Sequence, residues 1–147
     1  VTATDYSLEV LAVARLNAEK HGVSDKIDFV QSDMFLELPL TLYDYIVSNP
    51  PYIQTSHLND LMPDVINFEP QNALDGGDDG LDFYRKIIPE SLNYLKKGGV
   101  IALEIGETQA QVITNFFFSE GKYEEINIIQ DYSGYDRVVS ARKKTNG

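Results

Sequence analysis

The stretch YDYIVSNPPY, residues 43–52, decides how this chain is read. Its first six residues are β-branched and aromatic, the composition of a strand. The strand has to stop at Asn49-Pro50-Pro51, because neither proline can donate to a ladder. Ligands of open α/β sheets bind outside the carboxyl ends of the strands, which is where this segment falls. A planar NH2 group delocalises its lone pair and is a poor nucleophile. Two acceptors that hold both of its N–H bonds can turn the nitrogen toward an electrophile. The Asn49 side-chain oxygen is one such acceptor and the Pro50 carbonyl the other. Pro51 biases Pro50 away from the helical region and so aims that carbonyl. Tyr52 offers a flat face for packing on the planar group. The competing reading is an ordinary turn with an Asn cap and two prolines.

Outward from this segment, strand and helix signals alternate. Residues 1–5 are a short β-prone run ending at Asp5. Residues 7–21 read as a helix, with Ser7 as N-cap, Leu8, Leu11, Ala14 and Ala18 on one face, and Gly22 as the stop. Residues 26–31 read as a strand. Residues 49–80 make a connection too long to be idle, with apolar anchors at Tyr52, Ile53, Leu61, Phe68 and Leu74. Leu81, Tyr84, Ile88, Leu92 and Leu95 mark a helix stopped by Gly98-Gly99 and bent at Pro89. Residues 100–105 are an apolar central strand, residues 107–118 a helix, and residues 124–130 and 137–142 an antiparallel hairpin turning at Ser133 and Gly134. The pattern is α/β, with a mainly parallel sheet covered on both faces and an antiparallel end.

The chain has 147 residues, 43% hydrophobic and 24% charged, the size and balance of a single domain (1–147) with a substrate-side loop at 49–80. It has no cysteine, which excludes disulfide scaffolds, thiolate zinc sites and cysteine nucleophiles. No metal site is expected: His21 and His57 have no partner at ligand spacing, and Asp75, Asp78 and Asp79 lack the calcium-loop pattern. With no apolar run near 18 residues and no signal pattern, a cytoplasmic location is expected and no membrane. A net charge of −11 repels phosphate backbones, so direct nucleic-acid binding is disfavoured and a polar or basic protein partner suits the chain better.

Two acids end strands. Asp5 stands where a carboxylate takes the ribose hydroxyls of a nucleotide-like cofactor, and Asp33 where one accepts from a purine amine. Taken alone, Asp5 reads first as a helix-capping Asp and Asp33 as a turn Asp; two strands each ending in an acid raise the cofactor reading.

This constellation resembles the class I S-adenosylmethionine-dependent methyltransferases that act on amide or amino nitrogen. Phe68-Glu69-Pro70, Ala73-Leu74, Gly76-Gly77, Asp79-Gly80-Leu81 and Tyr84-Arg85 narrow it to the peptide chain release factor glutamine methyltransferases. Glu104-Ile105-Gly106 and Asp131-Tyr132, Gly134 and Asp136-Arg137-Val138 are similar to that family's later segments. The resemblance implies a Rossmann-like fold, S-adenosylmethionine as methyl donor with S-adenosylhomocysteine as product, and class I release factors as partners. The methyl acceptor would be the side-chain amide of the glutamine in a Gly-Gly-Gln motif. Asn49 and Pro50 would bind that amide and Tyr52 pack on it, with Pro51 beside them on the substrate side. By its own position Glu69 either lines the substrate side or braces the long loop. Asp5 would bind the ribose and Asp33 the adenine, with Asn49 also facing the cofactor. Catalysis would rest on positioning and fixed dipoles rather than on a strong base.

The sequence departs from that family in having no Gly-rich turn before Asp5, its first glycine being Gly22. The family's sheet order is 3-2-1-4-5-7-6, so the first strand, a central one, is expected to be missing and the chain to be the C-terminal part of a catalytic domain. Three outcomes are expected from that: re-pairing of residues 1–5, strand exchange in a homodimer, or unfolding of residues 1–35. Two other functions compete. One is methylation of an adenine amine in nucleic acid. The other is a non-catalytic fragment that binds a protein partner.

Overall fold

In the computed structural model, residues 1–62, 65 and 69–146 are described. Phe68, one of the expected loop anchors, lies outside them. Two compact units divide the chain, residues 1–41 and residues 42–147.

In the first unit, β1 (Thr2–Asp5) and β2 (Asp28–Gln31) pair in parallel, with Thr2 opposite Asp28 and Asp5 opposite Gln31. Residues 2–5 and 28–31 are thus paired in regular structure. The helix α1 (Leu8–Lys20) connects the two strands. Ser7 caps it, its side chain accepting from the Val10 amide, Glu9 lies in the first turn, and Gly22 follows at φ +66°. Leu11 and Ala18 are buried, whereas Leu8, assigned to the same face, is 64% exposed. The second strand starts two residues later than expected, because residues 24–26 form a 3-10 turn.

In the second unit four strands lie in the order β3-β4-β6-β5. They are β3 (Tyr43–Ser48), β4 (Leu95–Glu104), β5 (Tyr123–Gln130) and β6 (Asp136–Lys143). β3 and β4 are parallel, and β6 is antiparallel to both β4 and β5. The expected hairpin is present, turning through Gly134 at φ +86°. Cross-strand pairs Ile101–Ala141 and Leu103–Val139 put four buried side chains on one face of the sheet. Helix α3 (Ala110–Glu120) packs against β5 and β6 and buries Ile113 and Phe117, and α2 (Asp82–Ser91) packs against α3 and buries Tyr84, Ile87 and Ile88. Each fully buried aliphatic or aromatic side chain of this kind contributes about 1.5–3 kcal/mol. The other face of the sheet is open at β3, where Tyr45 and Val47 are 71% and 77% exposed, so the expected cover on both faces is not met there.

The helix read through Leu92 and Leu95 ends at Ser91, and Leu95 belongs to β4 instead. Pro89 falls in its last turn, where it lacks the amide that would donate to the Arg85 carbonyl. Gly98 and Gly99 do not stop a helix. They lie within β4, Gly98 at φ +77°, beside the register shift between β3 and β4. Among the described residues, β1 pairs only with β2 and β3 only with β4, so each presents one unpaired edge. Among the described residues, no helix is long and apolar enough to cross a membrane.

Candidate active site

In the first unit, Asp5 is the last residue of β1. Its Oδ1 accepts from the Ser7 amide at 2.8 Å, and Oδ2 has no hydrogen bond among the described residues. Asp5 thus serves the turn into α1 with one oxygen and leaves the other without a hydrogen bond among the described residues. Asp33 follows β2 in a turn stapled by Ser32, which is 3% exposed. The Ser32 hydroxyl donates to the Met34 carbonyl and accepts from the Glu37 amide, and the Asp33 amide donates to Glu37 Oε2 at 2.9 Å. Met34 is held at φ +53° as a result, a conformation that costs a non-glycine residue on the order of 1 kcal/mol. The Asp33 side chain is left at the exposed rim of that turn.

In the second unit, β3 ends at Ser48 and the chain leaves through Asn49, Pro50, Pro51 and Tyr52. Asn49 is exposed and Pro50 buried. Neither the Asn49 side chain nor the Pro50 carbonyl takes a hydrogen bond among the described residues. Both acceptors thus stand just past the carboxyl end of a parallel strand with no hydrogen-bond partner among the described residues.

The next segment is built tightly. Ile53 and Asp75 form a short parallel bridge, through Ile53 N to Leu74 O at 3.0 Å and Gly76 N to Ile53 O at 2.8 Å. Thr55 N extends it to Gly77 O at 3.0 Å. The Asp75 carboxylate accepts from the Thr55 hydroxyl and the Gly77 amide, which hold it below the usual carboxylate range. A Cβ on Gly76 would lie 2.9 Å from the Pro51 carbonyl oxygen and from the Tyr52 Cα. One on Gly80 would run into the Tyr52 carbonyl oxygen, and Gly80 also sits at φ +74°. Two glycines whose place in the sequence had no structural account are therefore the contact surface of the Asn-Pro-Pro-Tyr segment.

Tyr52 is held at both ends. Its hydroxyl donates to Glu104 Oε1 at 3.3 Å, at the carboxyl end of β4, and its carbonyl accepts from Gln109 Nε2 at 3.0 Å. Burial, then the Glu104 carboxylate, pushes the Tyr52 phenol up, with Arg137 opposing, so Tyr52 is a neutral donor at ordinary pH. Arg137 is paired with Asp131 at 3.3 Å and donates to the Ile105 carbonyl. Burial pushes Asp131 up, but the amides of Tyr135 and Ser133 and the Arg137 guanidinium outweigh it and hold the carboxyl low. Tyr84, fully buried, donates to the Glu104 carbonyl at 2.8 Å. Tyr52, Tyr84, Glu104, Arg137 and Asp131 thus form one connected polar group at the carboxyl ends of β3 and β4.

Gln109 makes three hydrogen bonds while 9% exposed. Nε2 donates to Tyr52 O and to Gly80 O at 3.1 Å, and Oε1 accepts from Gly106 N at 2.9 Å. Removing it would strand two carbonyls and an amide, each costing about 1–3 kcal/mol if left unpaired. The sequence reading missed this residue. Its one trace was a polar side chain three residues after Gly106, at the start of a helix. Glu69 is exposed, and its side chain makes no hydrogen bond among the described residues. Arg85 pairs with Asp79 and Asp82 at the surface.

The amino-acid sequence matches the family model of an RMKL-like methyltransferase domain over residues 1–60. It is 42% identical over 142 residues to a release factor glutamine methyltransferase of Geobacter sulfurreducens, covering 97% of this chain and 49% of that protein. To the protein of the same name from Gloeobacter violaceus it is 37% identical over 139 residues, covering 95% of this chain and 49% of that one. Over nearly its whole length the chain is similar to release factor glutamine methyltransferases. It spans about half the length of these relatives. Among solved structures, a methyltransferase from Pyrococcus furiosus superposes with a TM-score of 0.72 at 22% identity, covering 98% of this chain and 62% of that one. An S-adenosylmethionine-dependent O-methyltransferase from Thermotoga maritima gives 0.64 at 16% identity, covering 98% and 49%. The fold is that of the class I S-adenosylmethionine-dependent methyltransferases.

Proposed function

We propose that this chain carries the acceptor side of a methyltransferase that modifies the side-chain amide of a protein glutamine, the glutamine of the Gly-Gly-Gln motif in class I release factors. The observation that carries the reading is the pair of acceptors without a hydrogen-bond partner among the described residues, Asn49 Oδ1 and Pro50 O, on a backbone segment held behind them. A primary amide has two N–H bonds, and two fixed acceptors can hold both while its nitrogen faces an electrophile. Tyr52 supplies the adjoining flat surface. The likeness to release factor glutamine methyltransferases supports the choice of a glutamine amide over an adenine amine, and the charge of −11 supports a protein over a nucleic-acid substrate.

S-Adenosylmethionine, when bound, would supply a sulfonium methyl group as electrophile. The residues of this chain fit its nucleoside end: Asp5 keeps Oδ2 available at the end of β1, where ribose hydroxyls can donate to it. Asp33, on its stapled turn, is the candidate for the adenine amine. Asn49 and Pro50 bind and orient the acceptor amide, and fixed dipoles do the catalytic work with no residue acting as a strong base.

Two measurements test this. Calorimetric titration with S-adenosylhomocysteine should show binding that Asp5→Asn abolishes. That substitution keeps the acceptor for Ser7 N and removes the charge, so loss of binding would reflect the ligand and not the turn. Incubation with S-adenosylmethionine and a release factor should then add the mass of one methyl group at the Gly-Gly-Gln glutamine. A chain that is folded but adds no methyl group to that glutamine would refute the substrate assignment.

A further inference from the structure

We infer that Gln109 is the positioning residue for the acceptor segment, resting, for its consequence in catalysis, on the methyl-transfer reading above. Pro50 and Pro51 have no amide hydrogen. Among the described residues, the Tyr52 carbonyl is the backbone atom of residues 50–52 that carries a hydrogen bond, and its donor is Gln109 Nε2. The short ladder to residues 74–77 begins only at Ile53. The direction in which Pro50 presents its carbonyl therefore depends on how the next carbonyl but one is held.

The side-chain amide is the group this position needs. Two carbonyls, of Tyr52 and Gly80, can only accept, and one amide, of Gly106, can only donate. A glutamine offers two donor hydrogens and an acceptor in one plane, and the three partners determine which end is which. The bonds join three turns: the acceptor segment, the glycine turn preceding α2, and the turn after β4. Gly106 stays close enough for a Cβ there to lie 3.5 Å from Tyr52 Cδ2, so the same residue also sets the wall against the Tyr52 ring. Buried, fully bonded and at the base of α3, Gln109 touches no substrate and acts through Tyr52.

The test uses Gln109→Leu and Gln109→Glu in the 147-residue chain. Amide hydrogen exchange at Ile53 and Gly76 should quicken at least tenfold in both variants, while Ile101 and Leu103 in β4 stay within twofold. In methyl transfer both variants should lose at least tenfold in kcat near pH 8, with KM for S-adenosylmethionine unchanged. Lowering the pH should restore Gln109→Glu in part relative to the unmodified protein, because the introduced carboxyl, once protonated, can again donate to one carbonyl. Gln109→Leu should show no such recovery. Unchanged exchange at Ile53 and Gly76 would overturn the inference. So would equal quickening throughout β4, which would make Gln109 a general stabiliser. A parent protein that methylates no glutamine would refute the proposed function, and the exchange data would still decide whether Gln109 holds the segment.

Discussion

The Tyr52 hydroxyl donates to Glu104 Oε1 at 3.3 Å, across 52 residues of sequence, and joins the segment after β3 to the last residue of β4. The two strands are parallel neighbours, with Ser48 opposite Leu103, so their carboxyl ends leave the sheet side by side. Glu104 is offset by Arg137, and Tyr52 bridges to it as a neutral donor. Tyr52→Phe keeps the ring and removes this bond. It should lower stability by about 1 kcal/mol, read as a shift in urea midpoint at constant slope. A loss above about 3 kcal/mol would show that the hydroxyl organises more than one partner.

Asn49 is exposed and makes no hydrogen bond among the described residues. Surface positions of this kind change stability by no more than about 0.5 kcal/mol. Asn49→Ala should accordingly melt with the parent protein and yet lose on the order of 10²–10³ in methyl transfer, the scale of deleting one preorganised polar group at a reacting centre. Parent-like transfer by a folded Asn49→Ala protein would remove this residue from the site.

Gly80 occupies a left-handed conformation with the Tyr52 carbonyl against its Cα. Gly80→Ala meets a backbone penalty and a clash together. A loss of about 1–3 kcal/mol is expected, with methyl transfer falling alongside. Gly121, also left-handed but with nothing within 4 Å, is the control. Gly121→Ala should cost only the backbone penalty and leave transfer unaffected.

Phe117 is fully buried in α3 and meets the Tyr123 ring edge-on, with centroids 4.9 Å apart. Phe117→Ala should destabilise by about 3–5 kcal/mol, through lost burial and an unfilled cavity. Thermal unfolding followed by near-ultraviolet circular dichroism, which reports the packed tyrosines, would check it.

Tyr123 provides a pH dependence. Its hydroxyl donates to the Ile88 carbonyl at 2.7 Å and meets Ser91 Oγ at 2.6 Å. Burial pushes the phenol up to about 12, with Ser91 opposing. The unfolded chain binds that proton with a pKa of about 10. A raised folded value means that the stabilisation is complete below pH of about 10 and is lost as the pH climbs toward about 12. Unfolding free energy should fall across that window, and Tyr123→Phe should flatten the fall. An equal slope in both proteins would place the alkaline sensitivity elsewhere, Tyr52 and Tyr84 being the other phenols pushed up.

Much of the fold was legible because it is local. Ser7 as a cap, Gly22 after the first helix, the strand at residues 43–48 and the Gly134 hairpin follow from side-chain and backbone preferences over a few residues. The helix ending after Ser91 was misread because Leu92 and Leu95 continue a helical spacing. Pairing of β4 with its neighbours overrides that spacing and takes Leu95 into the sheet. The exposed faces at Leu8 and at Tyr45 and Val47 were also hidden, since apolar periodicity shows which residues could be buried and not what covers them.

The candidate site divides in the same way. Asn49, Pro50, Pro51 and Tyr52 could be proposed from sequence because they are adjacent and the preceding strand places them together. Asp5 and Asp33 were visible as acids at strand ends. No site role could be read for Gln109, Glu104 and Arg137, since they reach Tyr52 from 57, 52 and 85 residues away. Hydrogen bonds are short and directional, so three distant turns can share one side chain only after β3, β4 and the glycine turn have packed. By itself the sequence determined which adjacent residues offer acceptors past the end of β3; tertiary packing decided which distant side chains hold that segment in place.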